Sequence, residues 1–232
     1  MKTAKLRAET IVSKLFDAIT ARVQTLRDNG LVVSSEFKGI IDHLDPQGSS
    51  YSGFVKAVDN CKKRVEFDTL ISIVGKAKPA RGNDDAYVQA KVIEKIIKLV
   101  KGIGFNDFKI LDNHTRSLLI NTTVNNARIT SKVAFATLVK VEFDALDPSQ
   151  GFKLKARNNY TAGTGSTQLS SSREMLRIMG LSESAKGKRD ADFTFTDDAH
   201  ALFNERFEAI AKLTGSDASE AHEEGSEAEE QE

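Results

Sequence analysis

Between Ala4 and Asp28 the apolar residues Ile11, Val12, Leu15, Phe16, Ile19, Val23 and Leu26 recur at steps of three and four, with Lys14, Arg22 and Arg27 off that stripe. The spacing turns one face of a helix towards a core and predicts an amphipathic helix over the segment. Asn29-Gly30 supplies the left-handed backbone that closes such a helix. Ser34 or Ser35 can cap a second one, in which Phe37, Ile40, Ile41 and Leu44 stand at i, i+3, i+4 and i+7 before Pro46. In a helix predicted over Asp84 to Lys101, Val92, Ile93, Ile96, Ile97, Leu99 and Val100 project to one side. Lys91, Lys95, Lys98 and Lys101 fall on the other, which reads as a solvated face. A last helix is predicted with Thr196 as its cap and Asp197 and Asp198 in its first turn; Leu202, Phe203, Phe207, Ile210 and Leu213 form its buried stripe.

Two segments carry both periodicities. Phe54, Val55, Val58, Cys61 and Val65 have helical spacing, whereas Val65, Phe67, Thr69, Ile71 and Ile73 alternate with period two. Val133, Phe135, Val139, Val141 and Phe143 are likewise odd-numbered and β-favouring. Residues 65–74 and 133–143 therefore stay open between helix and strand. Pro46, Pro79 and Pro148 lie among turn-forming or charged residues and mark connections. After Pro148 come a short alternating run, FKLKAR, then an uncharged stretch rich in Gly, Ser and Thr from Tyr160 to Ser172, and a helix through Leu176 and Met179. The uncharged stretch reads as a mobile loop, with its GTGST run at Gly163 to Thr167 offering amides and hydroxyls to phosphates. The expected fold is mainly α, a compact bundle of amphipathic helices, with an α+β variant holding a small sheet kept open.

Composition alters this picture through the placement of charge. The 232 residues hold 33 Lys and Arg against 33 Asp and Glu, a net charge of zero. Beyond Thr214, however, the chain has no Val, Ile, Leu, Met or aromatic residue and carries Asp217, Glu220, Glu223, Glu224, Glu227, Glu229, Glu230 and Glu232 with no Lys or Arg. Such a segment has nothing to offset its ordering entropy, so 215–232 is expected to be a disordered acidic tail on a folded body over 1–214. Without the tail's eight acids that body is +8. The window 151–189 alone is +6, with Lys153, Lys155, Arg157, Arg173, Arg177, Lys186, Lys188 and Arg189 against Glu174 and Glu183. Phe152 and Tyr160 interleave with these cations, and aromatic faces beside basic side chains are what single-stranded nucleic acid uses for stacking and phosphate tracking. Lys153, Lys155, Arg157, Tyr160, Arg173, Arg177, Lys186, Lys188 and Arg189 are thus the candidate nucleic-acid-binding residues.

Motifs for chemistry are missing. No Gly-Lys-Ser or Gly-Lys-Thr follows GTGST, which disfavours a nucleotide triphosphatase. His43, His114, His200 and His222 have no partner at i+3 or i+4 and Cys61 stands alone, so neither a metal nor a cofactor is expected. Asp42, His43 and Asp45 lack a nucleophile elbow nearby. Cys61 precedes Lys62, Lys63 and Arg64, which could lower its pKa, but a buried idle thiol is the preferred reading. The first residues are interrupted by charge, unlike a secretory signal, and the apolar runs are far shorter than the ~20 residues a bilayer needs. A cytoplasmic location, that of the host if the protein is viral, and no membrane partner are expected.

A positively charged body followed by a flexible acidic C-terminal tail resembles the single-stranded-DNA-binding proteins encoded by bacteriophages. The resemblance rests on the 18 tail residues and the 151–189 window. It implies a tail that competes with DNA for the binding groove and recruits a polymerase or another replication or transcription protein. Helical periodicity replaces the five-stranded barrel of many such proteins. The expectation is a non-enzymatic single-stranded-DNA-binding protein, a homo-oligomer acting as a replication or transcription accessory factor. The alternative is a structural or assembly protein, viral ones included, that self-associates through its amphipathic helices.

Overall fold

A computed structural model describes residues 7–76, 88–139, 151–155, 158–183 and 193–212. The expectations at Arg157, Lys186, Lys188 and Arg189, at Leu213 and along the 215–232 tail lie outside these residues. Helix α1 (Ala8–Asp28) buries the predicted stripe and ends at Asn29, with Gly30 at φ +64°. Helices α2 (Glu36–Leu44), α3 (Tyr51–Cys61) and α4 (Phe67–Val74) pack around it, and α5 (Ala90–Phe105) lies along α3. A 3-10 turn at Phe108–Ile110 leads into α6 (Asn113–Val124), strand β1 (Arg128–Ile129) and α7 (Ser131–Ala136). Helix α8 (Ala162–Ile178) packs on α5 and α6, and is followed by β2 (Ser182–Glu183), β3 (Phe193–Phe195), α9 (Asp197–Glu205) and α10 (Phe207–Ala211). One hydrophobic cluster joins Ala8 near one end of the described chain to Ile210 near the other.

The molecule is mainly helical with a small antiparallel sheet, ordered β1-β3-β2. Among the described residues of the two ambiguous segments there is no strand: 67–74 is helix α4 and 131–136 is helix α7, while 140–143 lie outside the described residues. Arg128 pairs with Thr194 and Ile129 with Phe193, while Ser182 pairs with Phe195 and Glu183 with Thr194. The central strand succeeds because Phe193 and Phe195 are buried on the core, with Phe195 5.0 Å from the Phe203 ring of α9. In 65–74 the alternation loses to Phe67, Leu70 and Val74, which at steps of three and four form the buried stripe packed on α1.

The uncharged stretch expected to be a loop is part of α8. Thr161 caps that helix, its Oγ1 accepting the Thr164 N–H at 3.4 Å. Weak Gly, Ser and Thr propensities are overridden by packing: a Cβ on Gly165 would stand 2.5 Å from Val139 Cγ2, so the small residue admits the close approach of helix and chain. GTGST therefore forms the opening turns of a helix and is not a loop. Two cations also depart from the polar faces assigned to them. Arg22 is 1% exposed, its Nη1 donating to Val74 O at 3.1 Å and its guanidinium 5.2 Å from the Phe37 ring centre. Lys95 is 3% exposed and so departs from the solvated row, whereas Lys91, Lys98 and Lys101 stay partly exposed.

Asp42 accepts the Ser49 N–H at 3.1 Å and so holds the turn after α2, which accounts for the Asp42-His43-Asp45 group structurally. Cys61 is fully buried, and burial pushes its thiol up to about 12, so it is inert. No helix among the described residues is long and apolar enough to cross a membrane.

Where α3 and α5 meet, a Cβ on Gly104 would come within 2.7 Å of Ala57 Cα, and Asn60 Nδ2 donates to Gly104 O at 2.9 Å. Gly39 in α2 has open space instead. Gly104→Ala should lower stability by about 1–3 kcal/mol despite its better helix propensity, because it forces two backbones apart. Gly39→Ala should raise it by about 0.5–1 kcal/mol. Urea denaturation of the two variants checks this; equal effects would contradict the packing.

Candidate nucleic-acid interface

Helix α6 has the sequence NHTRSLLINTTV, and its residues from His114 to Thr123 are buried all round. Polar side chains in such a place must be hydrogen-bonded or they cost stability. Thr122 and Thr123 return their hydroxyls to Leu118 O and Leu119 O at 2.7 and 2.8 Å. The other polar groups organise two neighbouring features: a charged cluster at the N-terminal end and a clip along the side.

The clip holds residues 151–155 and 158–160. Asn125 Oδ1 accepts the Lys153 N–H at 2.9 Å while Asn125 Nδ2 donates to Lys153 O at 2.7 Å, so one side-chain amide pairs with a peptide group as a strand partner would. One turn back, Asn121 Oδ1 accepts the Lys155 N–H at 2.8 Å. Next, Ser117 Oγ accepts from Asn158 Nδ2 at 2.9 Å, and His114 meets the Tyr160 ring edge-on at 5.9 Å between centres. On the far side Asn158 N–H donates to Thr137 O at 2.8 Å and Tyr160 N–H to Leu138 O at 3.0 Å. The register follows from geometry: four helical residues advance ~6 Å, and two extended residues ~6.6 Å, so a strap can run antiparallel to the helix with successive matches.

Because the strap is held by its backbone, its side chains alternate freely. Phe152 and Leu154 turn inward and pack against the core, while Lys153 and Lys155 are exposed. Phe152 is thus a core residue. Lys155 Nζ stands 5.5 Å from the centre of the Phe207 ring, at the break between α9 and α10. Tyr160 is half-buried, with burial pushing its hydroxyl above the usual tyrosine range. Among the predicted residues described here, Lys153, Lys155 and Tyr160 share the strap. Arg173 and Arg177 lie on α8. Arg173 Nη1 donates to Ser131 Oγ at 3.1 Å, and Arg177 Nε donates to Glu174 Oε2 at 2.7 Å in an i,i+3 ion pair.

The charged cluster at the head of α6 was not anticipated. Asp112 caps the helix, its Oδ1 accepting the Thr115 N–H at 2.7 Å and meeting His114 Nε2 at 2.6 Å. Lys95 Nζ from α5 donates to Asp112 Oδ2 at 3.1 Å, to Ser172 Oγ of α8 at 3.2 Å and to Thr115 Oγ1 at 3.5 Å, and also touches His114 Nε2. His114 Nδ1 is buried without a partner, which fits a neutral ring whose Nε2–H faces Asp112. Burial lowers the Lys95 amine to about 8 against the pull of Asp112, and burial likewise lowers His114. Asp112 is held well below the usual carboxylate range by its hydrogen bond to His114 and the Lys95 charge, which together overcome its burial. A hydroxyl 3.2 Å from such an amine is the pairing a nucleophile and its base require. Ser172, however, is 1% exposed in the interior of α8 and cannot meet a substrate. The cluster pins three helices together. Asp112 immediately before a polar run was the signal for a cap; nothing in the sequence paired it with a lysine 17 positions earlier.

Among the described residues no group of three or more His, Cys, Asp or Glu side chains could hold a metal ion. Compared with protein families, with characterised proteins and with solved structures, the chain matches none.

The cluster sets a pH signature. Between about 8 and the ordinary lysine value of 10.5, the unfolded chain holds a proton that folded Lys95 has released, so this group makes stability rise with pH across that window. On the acid side, the depressed Asp112 contributes stability above the unfolded carboxylate range that is lost as pH falls towards its folded value. Urea midpoints measured from pH 7 to 10.5 should show the alkaline rise in the intact protein and its absence in Lys95→Met. A difference that falls with pH would refute the buried amine. Asp112→Ala, which strands Lys95, should cost about 3–5 kcal/mol.

Proposed function

We propose that this chain is a non-enzymatic, sequence-tolerant single-stranded-DNA-binding protein, an accessory factor in replication or transcription whose acidic tail competes for the same surface. The observation that carries the reading is the strap. Its main chain is tied to Asn121 and Asn125, so Lys153 and Lys155 project side by side at the ~6.6 Å repeat of an extended chain, next to a half-buried aromatic ring. Cations in a row beside an aromatic face supply the two terms such binding needs, phosphate neutralisation and base stacking. Both act without reading base edges, hence the tolerance of sequence. Arg177 can join only by leaving Glu174, and Arg173 is anchored towards α7, so the lysines of the strap have the primary role.

The self-assembly alternative asks for an uncovered apolar face. Among the described residues the exposed large hydrophobics are Val32, at 93%, and Phe105, at 38%, and the amphipathic stripes are spent on the chain's own core. DNA binding is therefore the preferred reading. In it, the segment 215–232 is an intramolecular polyanion at high effective concentration.

Anisotropy of labelled oligo-dT tests the proposal. Lys153→Glu with Lys155→Glu should weaken binding at least tenfold at low salt and reduce the slope of log affinity against log salt by about 1.4, that of two lost phosphate contacts. Removing residues 215–232 should tighten binding. An affinity and slope unmoved by the double reversal, or a tailless protein that binds no better, would contradict it.

A further inference from the structure

We infer that Phe207 is the base-stacking residue of this surface, and that Lys155 covers its ring until a nucleotide displaces it. The inference rests on the single-stranded-DNA reading and names its contact. Tyr160, the aromatic singled out by sequence, packs its ring at 72° to His114 and has its N–H tied to Leu138 O, so it is part of the wall that closes the buried cluster. Phe207 is differently placed. It follows Arg206 at the break between α9 and α10, is half-buried against the core, and turns a face towards the strap. That face is reached by the ammonium of an exposed lysine, 5.5 Å from the ring centre. A ring face accessible to a hydrated cation is accessible to a base.

The exchange is favoured by magnitude. An exposed cation–π contact is equivalent to about two- to fivefold in a binding constant. A stacked base contributes about five- to 150-fold. Lys155, once displaced, remains within reach of the phosphate that accompanies the base, so its charge is transferred to a stronger partner. Its backbone need not move, because Asn121 retains the Lys155 N–H. The ligand class is a flexible single strand, since a duplex keeps its bases stacked on one another.

The chain has no tryptophan, so Phe207→Trp creates a sole indole reporter at the ring's position. Oligo-dT should quench its emission along the same titration that raises the anisotropy of the labelled oligonucleotide. Phe207→Leu, which keeps an apolar plug but no π face, should weaken binding at least fivefold, and its urea midpoint reports whether the fold is retained. Saturable dT binding with indole emission unmoved, or a folded Phe207→Leu protein that binds within twofold of the parent, would overturn the inference and leave the DNA reading standing. Absence of dT binding by the intact chain would overturn both.

Discussion

The hydrogen-bonding demand of α6 organises the half of the molecule around it. A helix surrounded by core that carries His114, Ser117 and Asn121 beside its leucines needs those polar groups met by other elements, since each unmet buried group would cost about 1–3 kcal/mol. The neighbouring elements are placed where they meet that demand. Lys95 comes in from α5 and Ser172 from α8 to the cap at Asp112, and Lys153 and Lys155 of the strap supply peptide groups to Asn125 and Asn121. Networks of this kind fix one arrangement of helices, because a shifted register would strand the Lys95 and Asp112 charges and the asparagine amides.

The functional surface follows from that constraint. A lysine on a mobile loop pays rotamer and backbone entropy when it meets a phosphate, whereas one on a clipped, extended backbone has paid most of the second cost in folding. The side chains that hold the Lys153 and Lys155 backbone belong to Asn125 and Asn121, so the residues that fold this part of the strap differ from the lysines proposed to bind. Stability and binding can be separated here by mutation.

Much of the fold was legible in the chain. The stripes of α1, α2 and α5, the Gly30 stop and the Thr196 cap were readable because each is set by residues within a few positions of one another. Lys95 and Arg22 were misassigned to polar faces because helical periodicity says which side a residue is on, but not whether a distant carboxylate or carbonyl waits there. The Gly165 segment reads as a loop because propensity is local, whereas the Val139 contact that makes it helix is not. In the candidate site the alternation of FKLKAR marked the strap and its lysines. From the sequence Phe207 reads only as core, since its approach to Lys155 spans 52 positions and rests on the break after α9.

Amide hydrogen exchange at Lys153 and Lys155 tests the central claim, that asparagine side chains pre-form the binding strap through its backbone. In the intact protein both amides should be protected, and Asn125→Ala should release Lys153 first while lowering affinity for oligo-dT without removing a single charge. Rapid exchange of both amides in the intact protein, or an unclipped strap that binds DNA as tightly as the clipped one, would contradict the account.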